Sequence, residues 1–426
     1  MNKYQAYPEY KDSGEEWLGQ VPSHWKVIQI KHLSVVKRGA SPRPIDDPKY
    51  FDDDGEYAWT RIADVTASDV YLNNAPQRLS GLGSSLSVKL EPGALFLSIA
   101  GTVGKPCITG IKACIHDGFV YFPELKVPNK FLFYVFAGEQ AYKGLGKFGT
   151  QLNLNTDTVG GIKIGCASND ELESIIRFLD HETAKIDTLI EKQQQLIQLL
   201  KEKRQAVISH AVTKGLNPNA PMRDSGVEWL GEVPEHWVLA RLKNVLRIRN
   251  GRDYKDVEVE EGGYPVYGSG GIFKRSSSYL YDGKSVLFGR KGTIDKPLVV
   301  SGKFWTVDTM FYSEVFDNVL PEYIYYQATF FPFNLLSTNT ALPSMTQEDL
   351  LMLPFVVPPR IEQEGIIKYV QDKSARFDNL IGKAQSAIEL MQERRTALIS
   401  AAVTGKIDVR HHVSRPSGND TSEFSA

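Results

Sequence analysis

Residues 12–25 read DSGEEWLGQVPSHW and residues 224–237 read DSGVEWLGEVPEHW, identical at eleven of fourteen positions with an offset of 212. A self-match of that strength marks an internal repeat, and it decides how the rest of the chain is parsed. Farther on, KPCITGIKACIHDGFVYF (105–122) faces KPLVVSGKFWTVDTMFYS (296–313), preceded by Gly101-Thr102 and Gly292-Thr293, now at an offset of 191. The offset falls by 21 because 76 positions separate Trp25 from Gly101 and only 55 separate Trp237 from Gly292, so the first copy carries a longer segment after the shared motif. The repeat returns at the end of each half, where EKRQAVISHAVT (202–213) matches ERRTALISAAVT (393–404) at eight of twelve positions. The order is variable domain, shared helix, variable domain, shared helix.

The shared segments carry a heptad. Ile186, Ile190, Gln193, Ile197, Leu200, Arg204, Val207 and Ala211 follow a 4-3-4-3 spacing, and Phe377, Ile381, Ala384, Ile388, Met391, Arg395, Leu398 and Ala402 occupy the same frame in the second copy. That is the a/d seam of a coiled coil. About 40 residues in such a helix reach ~60 Å, farther than one small domain is wide, so each helix requires a partner. The link TKGLNPNAPMRD (213–224) spans at most ~40 Å, too short to return along the whole helix, so an antiparallel pair with a domain at each end and an approximate two-fold axis is expected. Arg204 and Arg395, at otherwise apolar heptad positions, either fix the register or snorkel to solvent.

Within the variable domains, short β-rich runs (57–62, 94–99, 119–122, 285–288, 310–315) alternate with Gly, Pro and Asp turns, and a helix follows in each copy (129–142; 322–329). The expected class is α/β (α+β). The expected boundaries are a first domain over 1–168, a first spacer helix over 169–213, linker and second domain over 214–358, a second spacer helix over 359–406, and a polar, Ser-rich disordered tail over 407–426, with His411 and His412 in it.

Composition narrows the function. Hydrophobic residues at 42%, aromatics at 11% and charged residues at 23% describe a globular chain, and no apolar run approaches the span of a membrane helix. The first residues, MNKYQAYPEYKDSGEEW, lack a basic segment followed by an apolar one, so a cytoplasmic location is expected. The three cysteines, Cys107, Cys114 and Cys166, include no CxxC pair, which argues for buried reduced thiols over a disulfide framework or zinc ribbon. Net charge is −2, from 49 Lys plus Arg against 51 Asp plus Glu, so only the local distribution of charge can point to nucleic acid.

No Walker A motif, strand-linked GxGxxG, GxSxG or HExxH exists, and the eight histidines show no ligand spacing. GTVGKP (101–106) departs from a phosphate loop, with Ile99 at the first Gly position and Pro106 where Ser or Thr would hold magnesium. Asp117 with Glu124 and Lys126 has the pattern of a metal-dependent nuclease, yet the second copy replaces it with Asp308, Val315 and Asp317, and solvated surface charge explains it better. Local basic clusters are stronger. The second copy packs Arg241, Lys243, Arg247, Arg249 and Arg252 into twelve residues, followed by the Gly-rich run 268–271 and Arg290-Lys291; the first has Arg38, Gly39, Ser41, Arg43 and Arg61. Basic side chains neutralise phosphates and glycines admit close backbone approach, while two related domains on a stiff spacer suit a target split into two half-sites, over at most ~18 base pairs.

The chain resembles the specificity subunit of a type I restriction-modification enzyme. The resemblance covers nearly everything from Trp17 to Lys406 and is carried by WLGxVPxHW, by RGASP (38–42), by YPVYGSGG (264–271) with FGRKGTI (288–294), and by the two helices ending AVISHAVTKG and ALISAAVTGK. GTQLNLN (149–155) against NTALPSMT (339–346) is a departure between the copies. The resemblance implies two globular target-recognition domains reading an asymmetric, gapped double-stranded DNA sequence, and no catalytic residue in this chain. It implies as partners two methylation subunits, which use S-adenosylmethionine, and motor-endonuclease subunits, which use ATP and magnesium, with no cofactor or metal in this chain. Candidate DNA-binding residues are Arg38, Ser41, Arg43, Arg61, Gln151 and Asn153 for the first half-site and Arg252, Ser269, Lys274, Arg290, Lys291 and Ser344 for the second. Helix pairing is assigned to Ile186, Ile190, Ile197, Leu200, Val207, Phe377, Ile381, Ile388, Met391 and Leu398. The competing readings are a free-standing dimeric metal-dependent nuclease and a coiled-coil scaffold without DNA function.

Overall fold

The computed structural model describes residues 4–142, 154–336 and 343–412. The chain divides into two compact units, Met1–Gln193 with Ser386–Ala426, and Gln194–Gln385. The division runs through both long helices, Asn169–Lys214 and Arg360–Val403, so that each unit holds the beginning of one helix and the end of the other. All eight heptad positions from Ile186 to Ala211, and all eight from Phe377 to Ala402, are buried or half-buried, while most positions between them are exposed. In the first unit Arg395 donates through Nε to Asp187 Oδ1 at 2.8 Å; in the second, Arg204 donates through Nη1 to Asp378 Oδ1 at 2.6 Å. Both the arginines and the aspartates are related by the offset of 191. The partners descend along one helix as they ascend along the other, which makes the pairing antiparallel. A partly exposed pair of this kind stabilises by about 0.5–1 kcal/mol. Asp187→Arg should therefore lower the first unit's unfolding midpoint in urea, and adding Arg395→Asp should restore it; a double variant as weak as the single one would deny these groups any part in the register.

The opening motif of each copy serves to seat the start of a long helix. In the first unit Glu171, on the first turn of its helix and only 6% exposed, accepts hydrogen bonds from Tyr7 Oη (2.7 Å) and Trp25 Nε1 (2.9 Å) and lies 2.9 Å from His24 Nε2. Glu362 does the same in the second unit with Trp237 Nε1 (3.0 Å) and His236 Nε2 (2.7 Å). The six-membered ring of each tryptophan meets the glycine that follows the opposite helix. A Cβ on Gly405 would stand 3.2 Å from Trp25 Cη2, and one on Gly215 would stand 3.1 Å from Trp237 Cζ2. Both glycines take positive φ, 72° and 76°, the left-handed conformation that ends a helix with least strain when no side chain is present. Trp25 and Trp237 are among the largest fully buried side chains of the chain, which is why HW recurs at the end of each motif.

The two units share a strand plan. In the first, a sheet runs Lys37–Arg38, Phe119–Tyr121, Leu95–Ser98, Pro106–Thr109, Tyr71–Leu72, and a second runs Arg78–Leu79, Tyr57–Thr60, Ala113–Ile115, Val88–Leu90. In the second unit the orders are Leu246–Asn250, Met310–Val315, Ser285–Gly289, Leu298–Val300, and Glu258–Val259, Gly271–Ser276, Tyr264–Gly268, Lys303–Thr306, Tyr281–Asp282. Each unit has a parallel pair at an equivalent place, Tyr57–Thr60 with Ala113–Ile115 and Tyr264–Gly268 with Lys303–Thr306, and the first unit adds a second, Pro106–Thr109 with Tyr71–Leu72. The extra length of the first copy also finds its place. Ser269 and Gly270 alone join Tyr264–Gly268 to Gly271–Ser276, whereas helix Ile62–Ala67 and strand Tyr71–Leu72 intervene between Tyr57–Thr60 and Arg78–Leu79.

One expectation is corrected. Residues 407–412 are not tail: Asp408 bridges Gln5, Val409 is 2% exposed in the first core, and the Arg410 guanidinium lies 4.9 Å from the Tyr7 ring centroid. A short polar run reads as tail by composition, but here it meets a free backbone edge and an aromatic face of its own unit. Residues 413–426 lie outside the described residues. Among the described residues no helix is long and apolar enough to cross a membrane.

Candidate nucleic-acid interface

In the first unit the chain leaves strand Lys37–Arg38 and crosses the turn at 115–119 at very close range. Gly39 N–H donates to the Phe119 carbonyl (2.9 Å) and Ala40 N–H to the Ile115 carbonyl (3.1 Å). A Cβ on Gly39 would stand 2.2 Å from the His116 carbonyl oxygen, so only glycine fits the crossing. The crossing brings three of the candidate residues together around Asp117. Arg38 Nε donates to its backbone carbonyl, Ser41 Oγ to Oδ1 at 3.0 Å, and Arg43 Nη2 to Oδ2 at 3.2 Å. Arg43 remains 79% exposed. Arg61 joins them because Thr60 pairs with Ile115 in parallel register, so residues 61 and 116 leave the sheet side by side. Gln151 and Asn153 lie outside the described residues.

Burial pushes the Asp117 carboxyl up, but the Ser41 hydrogen bond, with the Arg38 and Arg43 charges, outweighs it and holds the group below the usual carboxylate range. Arg38 and Arg43 thus flank one ionised aspartate, while the Arg61 backbone N–H is taken by Asp64 Oδ2 at 2.8 Å. His116 is set beneath it, against the Phe119 ring (4.5 Å between centroids) and the Trp59 ring (5.8 Å), with Nδ1 accepting the Gly118 N–H at 2.9 Å. Burial holds its pKa below the ordinary histidine value, against a smaller upward pull from Asp117. A depressed histidine contributes stability that is whole above the unfolded pKa of about 6.5 and is lost as pH falls through the folded value. The first unit should thus unfold more readily in urea at pH 5.5 than at pH 7.5, and His116→Gln should reduce that difference; an unchanged difference would place the acid sensitivity elsewhere.

The second unit repeats the frame with other side chains. A Cβ on Gly251 would stand 2.0 Å from the Val307 carbonyl oxygen; Gly251 corresponds to Gly39 at offset 212 and Val307 to His116 at offset 191. Arg252 is fixed through its backbone, donating N–H to the Thr306 carbonyl and accepting from Trp305 Nε1, both at 2.9 Å, while its side chain is exposed. Arg290 and Lys291 both donate backbone N–H to the Thr309 carbonyl, at 2.8 and 3.3 Å. Lys291 bridges Ser344, and Met345 N–H returns to the Arg290 carbonyl at 3.0 Å. Arg252, Arg290, Lys291 and Ser344 therefore gather round the turn at 306–309. Ser269 occupies the hairpin turn whose root touches the same place, Val307 N–H donating to the Tyr267 carbonyl at 3.1 Å. Lys274 stands apart, its ammonium neutralised by Glu258. Of the cluster 241–252, Arg249 is held by Glu314 through two hydrogen bonds and Arg247 lies over the Phe316 ring, which leaves Arg252 as the member at the turn.

Sequence reasoning named Asp117 only in the nuclease pattern and Gly39 only as a member of the basic cluster, and it missed His116 and the crossings themselves, although aligning the copies already pairs Gly39 with Gly251 at the offset of the opening motif. The nuclease pattern loses support. Asp117 spends both carboxylate oxygens on Ser41 and Arg43, Lys126 Nζ donates to the His32 carbonyl at 3.2 Å, and none of the three residues belongs to a metal-ligand group among the described residues. The cysteines offer no redox chemistry to the surface, since burial pushes each thiol up to about 11.

Residues 234–390 match the family model described as type I restriction modification DNA specificity domain. The chain is 22% identical to the type I restriction enzyme MjaVIII specificity subunit of Methanocaldococcus jannaschii, over 92% of this chain and 95% of that one. It is 22% identical to the MjaIX specificity subunit of the same organism, over 96% and 99%. Among solved structures it is similar, with a TM-score of 0.64 and 16% identity over 91% of this chain and 99% of the other, to one described as the structural basis of complex assembly and conformational transition of the type I R-M system. The last likeness concerns the fold.

Proposed function

We infer the role of this chain from the family to which it belongs, the DNA specificity subunits of type I restriction-modification enzymes: it recognises a two-part, gapped DNA sequence and directs its partner subunits to it. The observation that carries the reading is one frame built twice with different side chains. A glycine crosses a turn at contact distance in both units, and around it stand Arg38, Ser41, Arg43 and Arg61 in one and Arg252, Arg290, Lys291 and Ser344 in the other. A shared frame gives both units the same approach to a duplex, and different side chains read different bases.

The chain is non-catalytic in this reading. Adenine methylation with S-adenosylmethionine and cleavage with ATP and magnesium reside in two methylation subunits and in motor-endonuclease subunits, in the cytoplasm. Two copies of one partner suit the exposed leucines of the long helices. The first unit exposes Leu189 and Leu390, the second Leu380 and Leu199, and the two pairs are related by the offset of 191. An apolar position repeated on both units serves a partner that binds twice.

Mapping methylated adenines in host DNA by single-molecule sequencing, with the gene intact and deleted, tests the reading. A gapped two-part motif lost on deletion supports it and yields both half-sites. If neither strain shows a motif, co-purification with a methyltransferase separates a silent system from a wrong assignment. Arg290→Ala should cost about 1–3 kcal/mol of DNA affinity and relax one base position in the second half-site; a uniform loss over all sequences would make Arg290 a phosphate contact.

A further inference from the structure

The eight histidines show no ligand spacing along the chain, yet the fold brings two of them to one carboxylate in the first unit. His181 and Glu182 are neighbours on the first long helix. His412 reaches them because the chain reverses after the second long helix: Asp408 N–H donates to the Gln5 carbonyl at 2.8 Å, and His412 N–H to the Val409 carbonyl at 3.1 Å. The His412 ring then packs edge-on against Phe178, centroids 4.8 Å apart, with the His181 ring at 5.9 Å. One ligand atom from each of His181, Glu182 and His412 lies within 4.8 Å of the other two.

The hydrogen bonding of this cluster is incomplete. Nδ1 of His181 and Nδ1 of His412 are both buried and make no hydrogen bond, a condition that folded proteins ordinarily avoid. His181 Nδ1 lies 3.3 Å from Glu182 Oε1. The Glu182 carboxylate is 7% exposed, takes the Tyr4 hydroxyl on Oε2 at 3.0 Å, and has the Lys185 ammonium 3.4 Å from Oε1. We propose that His181, Glu182 and His412 form a site for a borderline divalent metal ion, zinc being the natural occupant, which clips the C-terminal segment to the first long helix. Two imidazoles with one carboxylate favour such an ion over magnesium or calcium, which prefer all-oxygen shells. Three protein ligands leave one position of a tetrahedron for water. Bonds of about 2.0–2.1 Å set tetrahedral ligands about 3.3 Å apart, so atoms that lie within 4.8 Å of one another need to close by at most about 1.5 Å.

Isothermal titration of the full chain with zinc chloride, after dialysis against a chelator, reads the site directly. Expected are one zinc per chain in the micromolar range or tighter, a raised unfolding temperature for the first unit, and visible absorption of tetrahedral form when cobalt replaces zinc. His412→Ala and His412→Gln should each weaken binding about tenfold or more, while their metal-free circular dichroism and unfolding temperature match the parent; His411→Ala should bind as the parent does. Absence of uptake by the parent overturns the proposal, as does unchanged binding by both His412 variants or loss of binding in His411→Ala. Should His412→Ala misfold, His412→Gln and the cobalt spectrum still decide. All of this is read without DNA, so failure here leaves the assignment of sequence recognition untouched.

Discussion

Glu171→Ala should destabilise the first unit by about 3–5 kcal/mol, while its repeat counterpart Glu362→Ala costs the second unit about 1–2 kcal/mol. Both carboxylates hold the histidine and tryptophan of the opening motif, so the difference comes from burial. Glu171 is 6% exposed and is also the acceptor of the buried Tyr7 hydroxyl. Removing it leaves the Trp25 and Tyr7 donors without a partner in a place water does not reach, at about 1–3 kcal/mol each. Glu362 has a side chain 39% exposed and serves two groups, so water can replace part of what is lost. Calorimetry of the whole chain should resolve the two units and show a large fall in one midpoint for Glu171→Ala and a small fall in the other for Glu362→Ala. Equal falls would mean that the packing of the two tryptophans, and not the buried carboxylate, seats the helices. Glu171→Gln, which keeps one acceptor oxygen, should fall between parent and Glu171→Ala.

Gly251→Ala should weaken and blur recognition of the second half-site and leave the first intact, and Gly39→Ala should do the reverse. A Cβ at either position would stand at 2.0 or 2.2 Å from a backbone carbonyl oxygen of the facing turn. Main chain must move, because no rotamer change relieves a clash between two backbones. Overpacking of this kind costs roughly 1–3 kcal/mol, and the displaced turn carries the groups around it: Arg252 with Arg290 in one unit, Arg38 with Ser41 and Arg43 in the other. If that displacement is felt at the DNA, affinity falls about ten- to a hundredfold. The methylation map distinguishes the outcomes, since each variant should leave one half of the two-part motif readable and blur the other. Loss of both halves from either single variant would show that the two units do not read independently.

How much of this was legible before folding varies by element. The long helices were, because a heptad is a local periodicity: each turn of helix brings the next apolar residue to the same side, and Ile186 to Ala211 announce their buried face without reference to any other part of the chain. The antiparallel sense was also legible, since the link 213–224 is too short for the alternative. Arg204 and Arg395 stood out as polar residues in an apolar seam, but their partners Asp378 and Asp187, 174 and 208 residues away, did not. The DNA-reading candidates were legible as residue types only. Arg249, Arg252 and Lys274 look alike in sequence, yet Glu314 holds the first and Glu258 the third, and only Arg252 sits at the turn.

By itself the sequence determined that the molecule is one design used twice, that its copies are joined through paired helices, and that its first domain is the longer. Those are properties of spacing, and identity at a constant offset or a repeat every seven residues is readable along one dimension. Only the tertiary structure decided what the repeated motif is for, which arginines share a surface, and that His412 comes back to His181. Each of these depends on contacts between residues far apart in the chain: Trp25 with Glu171, Gly39 with His116, Gln5 with Asp408. Such contacts follow from strand order and from the depth of burial available at one place, and no local pattern encodes either.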